Sequence, residues 1–93
     1  MSDMAAIITT NGEVKPVVPN NGTDFQIEEI QAAVGGYVEI VTLWAGGLMC
    51  LDEEGKLKGK DINHKATAMY RNKRNTKDFI VGDVLICDKK QIK

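Results

Sequence analysis

Two consecutive glycines, Gly35 and Gly36, place the strongest constraint on how this chain can fold. Apolar side chains recur at helical spacing before them, whereas the residues after them alternate as in a β-strand. Because glycine reaches backbone conformations that are closed to residues with a Cβ, a helix can end here and a strand can begin at once. The pattern therefore predicts a helix over residues 24–34 and a strand over residues 37–43.

The predicted helix carries signals at its start and along its buried face. Thr23 suits the N-cap position, with Gln26 three residues later to complete a capping box. Ile27, Ile30 and Val34 fall at the spacing of one helical face, so we expect all three to pack against the core.

An early hairpin is predicted from a turn signal at Asn11-Gly12. The flanking residues 5–10 and 13–18 have the composition of short strands. Pro16 has no N–H to donate to a neighbouring strand, so the second of these strands should lie at an edge of the sheet.

The second half of the chain predicts a further strand, a turn and a helix. Residues 48–51 are almost all apolar, which is typical of a strand in the interior of a sheet. Gly55 then suits a tight turn that needs a positive φ. A short helix is predicted over residues 63–71, with Asp61 or Asn63 as its cap.

The last strand is predicted over residues 83–87, followed by a tail that frays. The complete order is ββαββαβ, which indicates an α+β domain with two helices and a mostly antiparallel sheet. At 93 residues the chain forms one domain, ordered over roughly residues 5–88. A domain of this size buries only about 60–65% of its unfolded surface, which favours self-association, so we expect a homo-oligomer.

The sequence indicates a cytoplasmic protein. No apolar run approaches the roughly 20 residues of a membrane span, and the N-terminal residues lack the basic region of a signal peptide. Cys50 and Cys87 each lie in an apolar run, which favours two reduced core thiols, with a disulfide or a metal site as the alternative.

Charge is distributed unevenly along the chain. Residues 1–54 contain nine acidic residues and one base, a net charge of −8, and residues 55–93 contain eleven bases and four acids, a net charge of +7. The two halves could form opposed faces and bind an anion on the basic one, or folding could interleave them.

A ligand site is predicted around the start of the second helix. Helix N–H groups and nearby ammonium groups suit an anion, and the alternative is a solvated lysine run beside an ordinary cap. The glycine pair could add contacts, although helix termination is its other role. The predicted ligand-binding residues are Gly35, Gly36, Tyr37, Lys56, Lys58, Lys60, Asn63 and His64.

Two aromatic residues, Trp44 and Tyr70, are the predicted interface residues. An aromatic ring on a loop offers a large contact area at low entropic cost, and folding back onto the core is the alternative for Trp44. Tyr70 stands next to the basic residues 71–77, which could contact nucleic acid. The isoelectric point of about 5.8 argues against that partner.

Catalysis has little support in the sequence. The acidic residues 52–54 and His64 could supply acid–base groups, but three acids beside a turn glycine are far more often a solvated turn. No His/Cys cluster with the spacing of a metal site is present, and no nucleophile motif or phosphate loop appears. We expect no metal, no cofactor and no catalytic residues.

Four segments together resemble the domain-of-unknown-function family 3846. They are Val-Gly-Gly-Tyr-Val-Glu at residues 34–39, the turn at residues 52–57, Asn63, and Ile-Val-Gly-Asp-Val at residues 80–84. The resemblance extends over roughly residues 5–87, with one departure at Asp52, where the family often has asparagine. It implies a small protein of phages, plasmids or other mobile elements, and it implies no common activity.

These observations favour a non-catalytic accessory protein of a phage or mobile element. It would sequester a small nucleotide-type anion in the host cytosol, in a site shared between subunits. A ring of Tyr37, Trp44 or Tyr70 would stack on the base, and the three lysines would meet phosphates. The alternative is a protein-binding inhibitor or adaptor that acts on a host protein, and a nucleotide-acting enzyme is a remote third.

Overall fold

The computed structural model describes residues 5–43, 46–74 and 76–92. The helices and strands within these ranges follow the order ββαββαβ, which confirms the predicted α+β domain. They are β1 (Ala5–Ile8), β2 (Val14–Val17), α1 (Ile27–Val34), β3 (Val38–Thr42), β4 (Gly47–Asp52), α2 (His64–Arg74), β5 (Val84–Asp88) and a short 3-10 helix (Lys89–Gln91).

The five strands form one sheet in the order β2-β1-β5-β4-β3, and every neighbouring pair is antiparallel. As predicted, β4 lies in the interior of the sheet and the strand with Pro16 lies at an edge. The sheet also interleaves the two differently charged halves of the chain, because β5 lies between β1 and β4.

Each face of the sheet carries one helix. Alternate residues of a strand point to opposite faces, so Leu85 packs against α1 and its neighbour Val84 packs on the side of α2. The buried residues on the α1 side are Ala5, Phe25, Ile30, Val34, Cys50, Leu85 and Cys87. Those on the α2 side are Ile8, Leu43, Met49, Leu51, Ala66, Ile80 and Val84.

The predicted start of α1 is wrong. Gln26 is the N-cap residue itself, in a capping box with Glu29, so Thr23 does not cap the helix. The reason is long-range, since Phe25 donates its N–H to the carbonyl of Gln91 at 2.7 Å and forms a bridge with Ile92. This pairing keeps the chain extended up to the cap.

Two further expectations near the ends of elements are also wrong. Ile27 is 51% exposed and does not share the buried face of Ile30 and Val34. Residues 89–92 do not fray, because Asp88 caps the 3-10 helix with its side chain and Gln91 is buried.

The glycines support the turns in different ways. Gly35 ends α1 as predicted, with a φ of +83° and its N–H donated to the carbonyl of Gln31. Gly55 lacks the predicted positive φ. Its requirement is space, because a Cβ at this position would lie 2.9 Å from Cγ2 of Val81.

Candidate functional site

A buried carboxylate, Asp52, organises the region where β4 ends. Its Oδ2 lies 2.7 Å from the ammonium group of Lys60 and 2.9 Å from that of Lys58, and its Oδ1 accepts the N–H of Glu54. Burial alone would raise the pKa of Asp52, but the hydrogen bonds from Lys60, Lys58 and Glu54 outweigh it and lower this pKa to about 2. Asp52 is therefore ionised at neutral pH.

The same two lysines also cap the end of α1. Lys60 donates to the carbonyl of Val34 at 2.7 Å, and Lys58 donates to the carbonyl of Gly35 at 3.2 Å. The last carbonyls of a helix lack intrahelical partners and carry the negative end of the dipole, so ammonium groups are favourable there.

Three glycines leave the space that this ion-pair network occupies. A Cβ on Gly36 would lie 2.5 Å from Nζ of Lys58 and 2.7 Å from Oδ1 of Asp52. A Cβ on Gly35 would lie 2.9 Å from Nζ of Lys60, and one on Gly82 would lie 2.8 Å from Cδ of the same lysine. The glycine pair thus serves both to end α1 and to admit the lysines.

The structure brings four of the predicted ligand-binding residues together, namely Gly35, Gly36, Lys58 and Lys60. Their anionic partner is Asp52, a residue of the same chain. Sequence reasoning treated Asp52 as part of a solvated turn. Its position at the end of a strand that is otherwise apolar was the signal that its side chain would be buried.

The other predicted ligand-binding residues lie apart from this network. Asn63 is fully buried and caps α2 through the N–H of Ala66, while its amide donates to the carbonyls of Ile8 and Gly82. Its hydrogen bonds thus connect β1, α2 and the loop before β5.

The remaining predicted site residues also lie outside the network of Asp52, Lys58 and Lys60. His64 and Tyr37 are exposed, and Lys56 forms an ion pair with Asp78 at 2.5 Å. Trp44, a predicted interface residue, lies outside the described residues.

A second feature, which we call the acidic cleft, lies between the β3–β4 hairpin and residues 78–81. It has a volume of about 140 Å³. Its apolar and aromatic walls are formed by Val41, Leu51, Leu57, Tyr70, Phe79, Ile80 and Val81. The carboxylates of Glu39, Glu53 and Asp78 and the ammonium group of Lys56 also line it. The buried carboxylate of Asp52 instead lies on the α1 side, with Lys58 and Lys60.

Lys56 lies within this cleft in two contacts at once. Its Nζ is 4.4 Å from the centre of the Phe79 ring and pairs with the carboxylate of Asp78. The hydrogen bond from Lys56 lowers the pKa of Asp78, and the N–H of Phe79 adds to this effect. Sequence reasoning found Tyr70 and Lys56 but not the cleft, because its residues come from segments far apart in the chain.

Other chemistry has little support among residues 5–43, 46–74 and 76–92. No group of three or more His, Cys, Asp or Glu side chains there could hold a metal ion. Cys50 and Cys87 are free and buried, and the hydrogen bond with Cys87, together with burial, raises the pKa of the Cys50 thiol. None of the described helices is long and apolar enough to cross a membrane.

Comparison with known protein families gives a match over nearly the whole chain. The family model described as Domain of unknown function (DUF3846) matches residues 4–92, which is nearly the whole chain. No curated protein sequence and no solved structure shows a significant similarity to this chain.

Proposed function

This chain belongs to the DUF3846 family, and we propose that it is a non-catalytic protein whose acidic cleft binds a basic, partly apolar segment of a partner protein. The observation that carries the proposal is the combination of exposed apolar side chains and carboxylates at one cleft. The chain would then act as an inhibitor or adaptor of a host protein, in the phage or mobile-element setting that the family resemblance implies.

Exposed apolar surface at the cleft supports a protein partner. Leu57 is 88% exposed and Phe79 is 38% exposed, and both lie at the cleft. Burying one such side chain on binding contributes about 1.5–3 kcal/mol. Exposed apolar side chains that line one cleft are typical of an interaction surface.

The carboxylates at the cleft determine the charge of the proposed partner. Asp78 is neutralised by Lys56, whereas Glu39 and Glu53 form no ion pair within the described residues. A lysine or arginine of the partner would pair with these two carboxylates. Charges of this kind at the rim of an interface increase the association rate and exclude acidic segments.

The size of the cleft also favours a peptide side chain. Sites for whole small molecules are usually about 300–1,000 Å³, whereas this cleft has a volume of about 140 Å³. It can take one side chain of an extended segment, with the remainder of that segment lying across Leu57 and Phe79.

A nucleotide-type anion is the second candidate ligand, and one observation favours it. Lys56 lies over the Phe79 ring in the same cleft as Tyr70. A base could stack on a ring while Lys56 meets a phosphate. Lys58 and Lys60 are less suited to this role than the sequence indicated, because an anion would have to displace Asp52 from them.

The test is an NMR titration of isotope-labelled protein with three probes. These are a short peptide of alternating arginine and leucine, its counterpart with glutamate in place of arginine, and a panel of linear and cyclic nucleotides. We expect the basic peptide to shift the amide signals of Glu39, Leu57 and Phe79, and the acidic peptide to leave them unchanged. Nucleotide-induced shifts at the same residues would instead support the second candidate, and no shift with any probe would contradict both.

A matched pair of variants makes the titration specific. Leu57→Ala removes an exposed apolar side chain at the cleft, whereas Val18→Ala removes one that is 79% exposed and lies away from it. We expect only Leu57→Ala to weaken binding of the basic peptide. Equal weakening by both variants would indicate non-specific association.

A further inference from the structure

The two edges of the sheet differ in how they are protected against pairing with another strand. At the β2 edge, Thr9 donates to the carbonyl of Glu13, and the register Ala6↔Pro16 places Pro16 in a pair without mutual hydrogen bonds. The nitrogen of Pro16 therefore points away from β1, and it has no N–H to offer. Proline at an outward-facing position blocks strand addition.

The β3 edge has no such protection. Leu43 donates to the carbonyl of Gly47, and Glu53 donates to the carbonyl of Tyr37, so the odd-numbered residues of β3 bond to β4. The backbone groups of Val38, Ile40 and Thr42 consequently point outward from the sheet. The strand contains neither proline nor lysine, and Ile40 is 45% exposed.

We propose that this edge pairs with the β3 edge of a second copy of the chain in an antiparallel, twofold-symmetric dimer. With the axis at Ile40, this residue faces Ile40 of the second copy, and Val38 faces Thr42. All of these residues have outward-facing backbone groups, so each facing pair can exchange both of its N–H···O bonds. The proposed dimer joins the two sheets into one.

The side chains favour this register over the one centred on Glu39. In it, Glu39 faces Val41 of the second copy, and Ile40 packs against its own symmetry mate. A shift that centres the axis on Glu39 would place two carboxylates directly opposite each other, which is destabilising. Aliphatic and β-branched pairs across strands are stabilising, and β3 supplies them on the side of the sheet that carries α1.

The dimer also deepens the proposed function, on which this step rests. An axis perpendicular to the sheet keeps the α2 faces of both copies on the same side. Glu39 and Val41 form part of the acidic cleft, so the two clefts would lie next to each other across the junction between subunits. One extended segment of a partner could then contact both.

The first test is sedimentation velocity of the full chain, from micromolar to millimolar concentration and without any ligand. We expect a monomer–dimer equilibrium. Ile40→Lys should weaken dimerisation by about tenfold or more, because the two introduced lysines face each other at the axis. Val14→Lys is the matched control, since Val14 is 51% exposed at an outward-facing position of the other edge.

The second test needs no variant and identifies the edge directly. In amide hydrogen exchange at high protein concentration, we expect Val38, Ile40 and Thr42 to be as protected as Glu39 and Val41. On dilution, only the first three should lose protection. A monomer at all concentrations would overturn the proposal, as would a dimer whose three outward amides exchange freely. Either result leaves the peptide titration of the acidic cleft unaffected.

Discussion

The ammonium group of Lys60 lies 2.7 Å from the buried carboxylate of Asp52, and this ion pair joins the end of β4 to the end of α1. Lys60 reaches Asp52 from a loop that follows β4, while the same ammonium group caps the carbonyl of Val34. The sequence predicted that Lys60 binds an anionic ligand, but in the structure its ammonium group pairs with the carboxylate of Asp52 in the same chain.

The first prediction concerns the stability that Asp52 supplies. Asp52→Asn keeps the shape of the side chain but leaves Lys58 and Lys60 without their anion. Loss of one partner of a buried pair costs about 3–5 kcal/mol. Both lysines are partly exposed and can turn to solvent, so we expect a smaller loss of about 2 kcal/mol in the free energy of unfolding. Urea denaturation measures it, with Glu54→Gln as the exposed control; equal midpoints for the two variants would contradict the prediction.

The second prediction is the pH dependence of folding. The pKa of Asp52 is lowered from 3.8 to about 2, so the unfolded chain binds a proton at higher pH than the folded one. The stabilisation is therefore fully present above about pH 4 and is lost as the pH falls towards 2. It amounts to about 2 kcal/mol.

Denaturation midpoints measured across this pH range check the sign and the source of the effect. The denaturation midpoint should fall less steeply with decreasing pH in Asp52→Asn than in the unmodified chain. Asp78→Asn removes an exposed ion pair, so it should change this slope less than Asp52→Asn does. A slope that is unchanged in Asp52→Asn would assign the acid sensitivity to other carboxyl groups.

The third prediction is that Gly36 is required for space. Its φ is not positive, so strain does not exclude alanine, but a Cβ there would lie 2.7 Å from Oδ1 of Asp52. We expect Gly36→Ala to cost about 1–3 kcal/mol. The cost should fall when the variant is combined with Asp52→Ala, which removes the obstructing carboxylate. Additive free energies in this double-mutant cycle would show that the two positions are not coupled.

The fourth prediction separates the structural role of Asn63 from its predicted role in ligand binding. Asn63→Ala removes the cap of α2 and the two hydrogen bonds that the amide donates to the buried carbonyls of Ile8 and Gly82. We expect a loss of about 3 kcal/mol, since the variant loses three buried hydrogen bonds of about 1 kcal/mol each. His64→Ala, at the exposed neighbouring position, should change the unfolding midpoint by little. Similar unfolding midpoints for Asn63→Ala and His64→Ala would contradict a structural role for Asn63.

The fold was largely predictable because its signals are local. The apolar period before Gly35, the Asn11-Gly12 turn and Pro16 each act within a few residues, and each predicted the element that the structure contains. The start of α1 was missed because it depends on Phe25 pairing with Ile92, near the other end of the chain.

The candidate sites were predictable only in part, for the same physical reason. The sequence left open whether the glycine pair shares a site with the lysines, and it contains no local signal that Asp52 is the partner of Lys58 and Lys60. Similarly, Gly55 has the appearance of a turn glycine, and only contact with Val81 reveals that it is required for space. The acidic cleft is formed by side chains from several segments, so it becomes visible only after folding.

The last prediction uses charge to distinguish the two candidate ligands of the acidic cleft. Glu53→Gln removes a carboxylate that has no ion pair within the described residues, and Lys56→Ala removes the ammonium group over Phe79. For a basic peptide, Glu53→Gln should weaken binding by up to about fivefold, because a rim charge contributes about 0.2–1 kcal/mol, and Lys56→Ala should strengthen it. For a nucleotide, both effects should be reversed. Calorimetric titration of the two variants with both probes measures the four changes. Unchanged binding of both probes in both variants would show that charge does not select the ligand, and it would leave the exposed apolar residues Leu57 and Phe79 as the source of affinity.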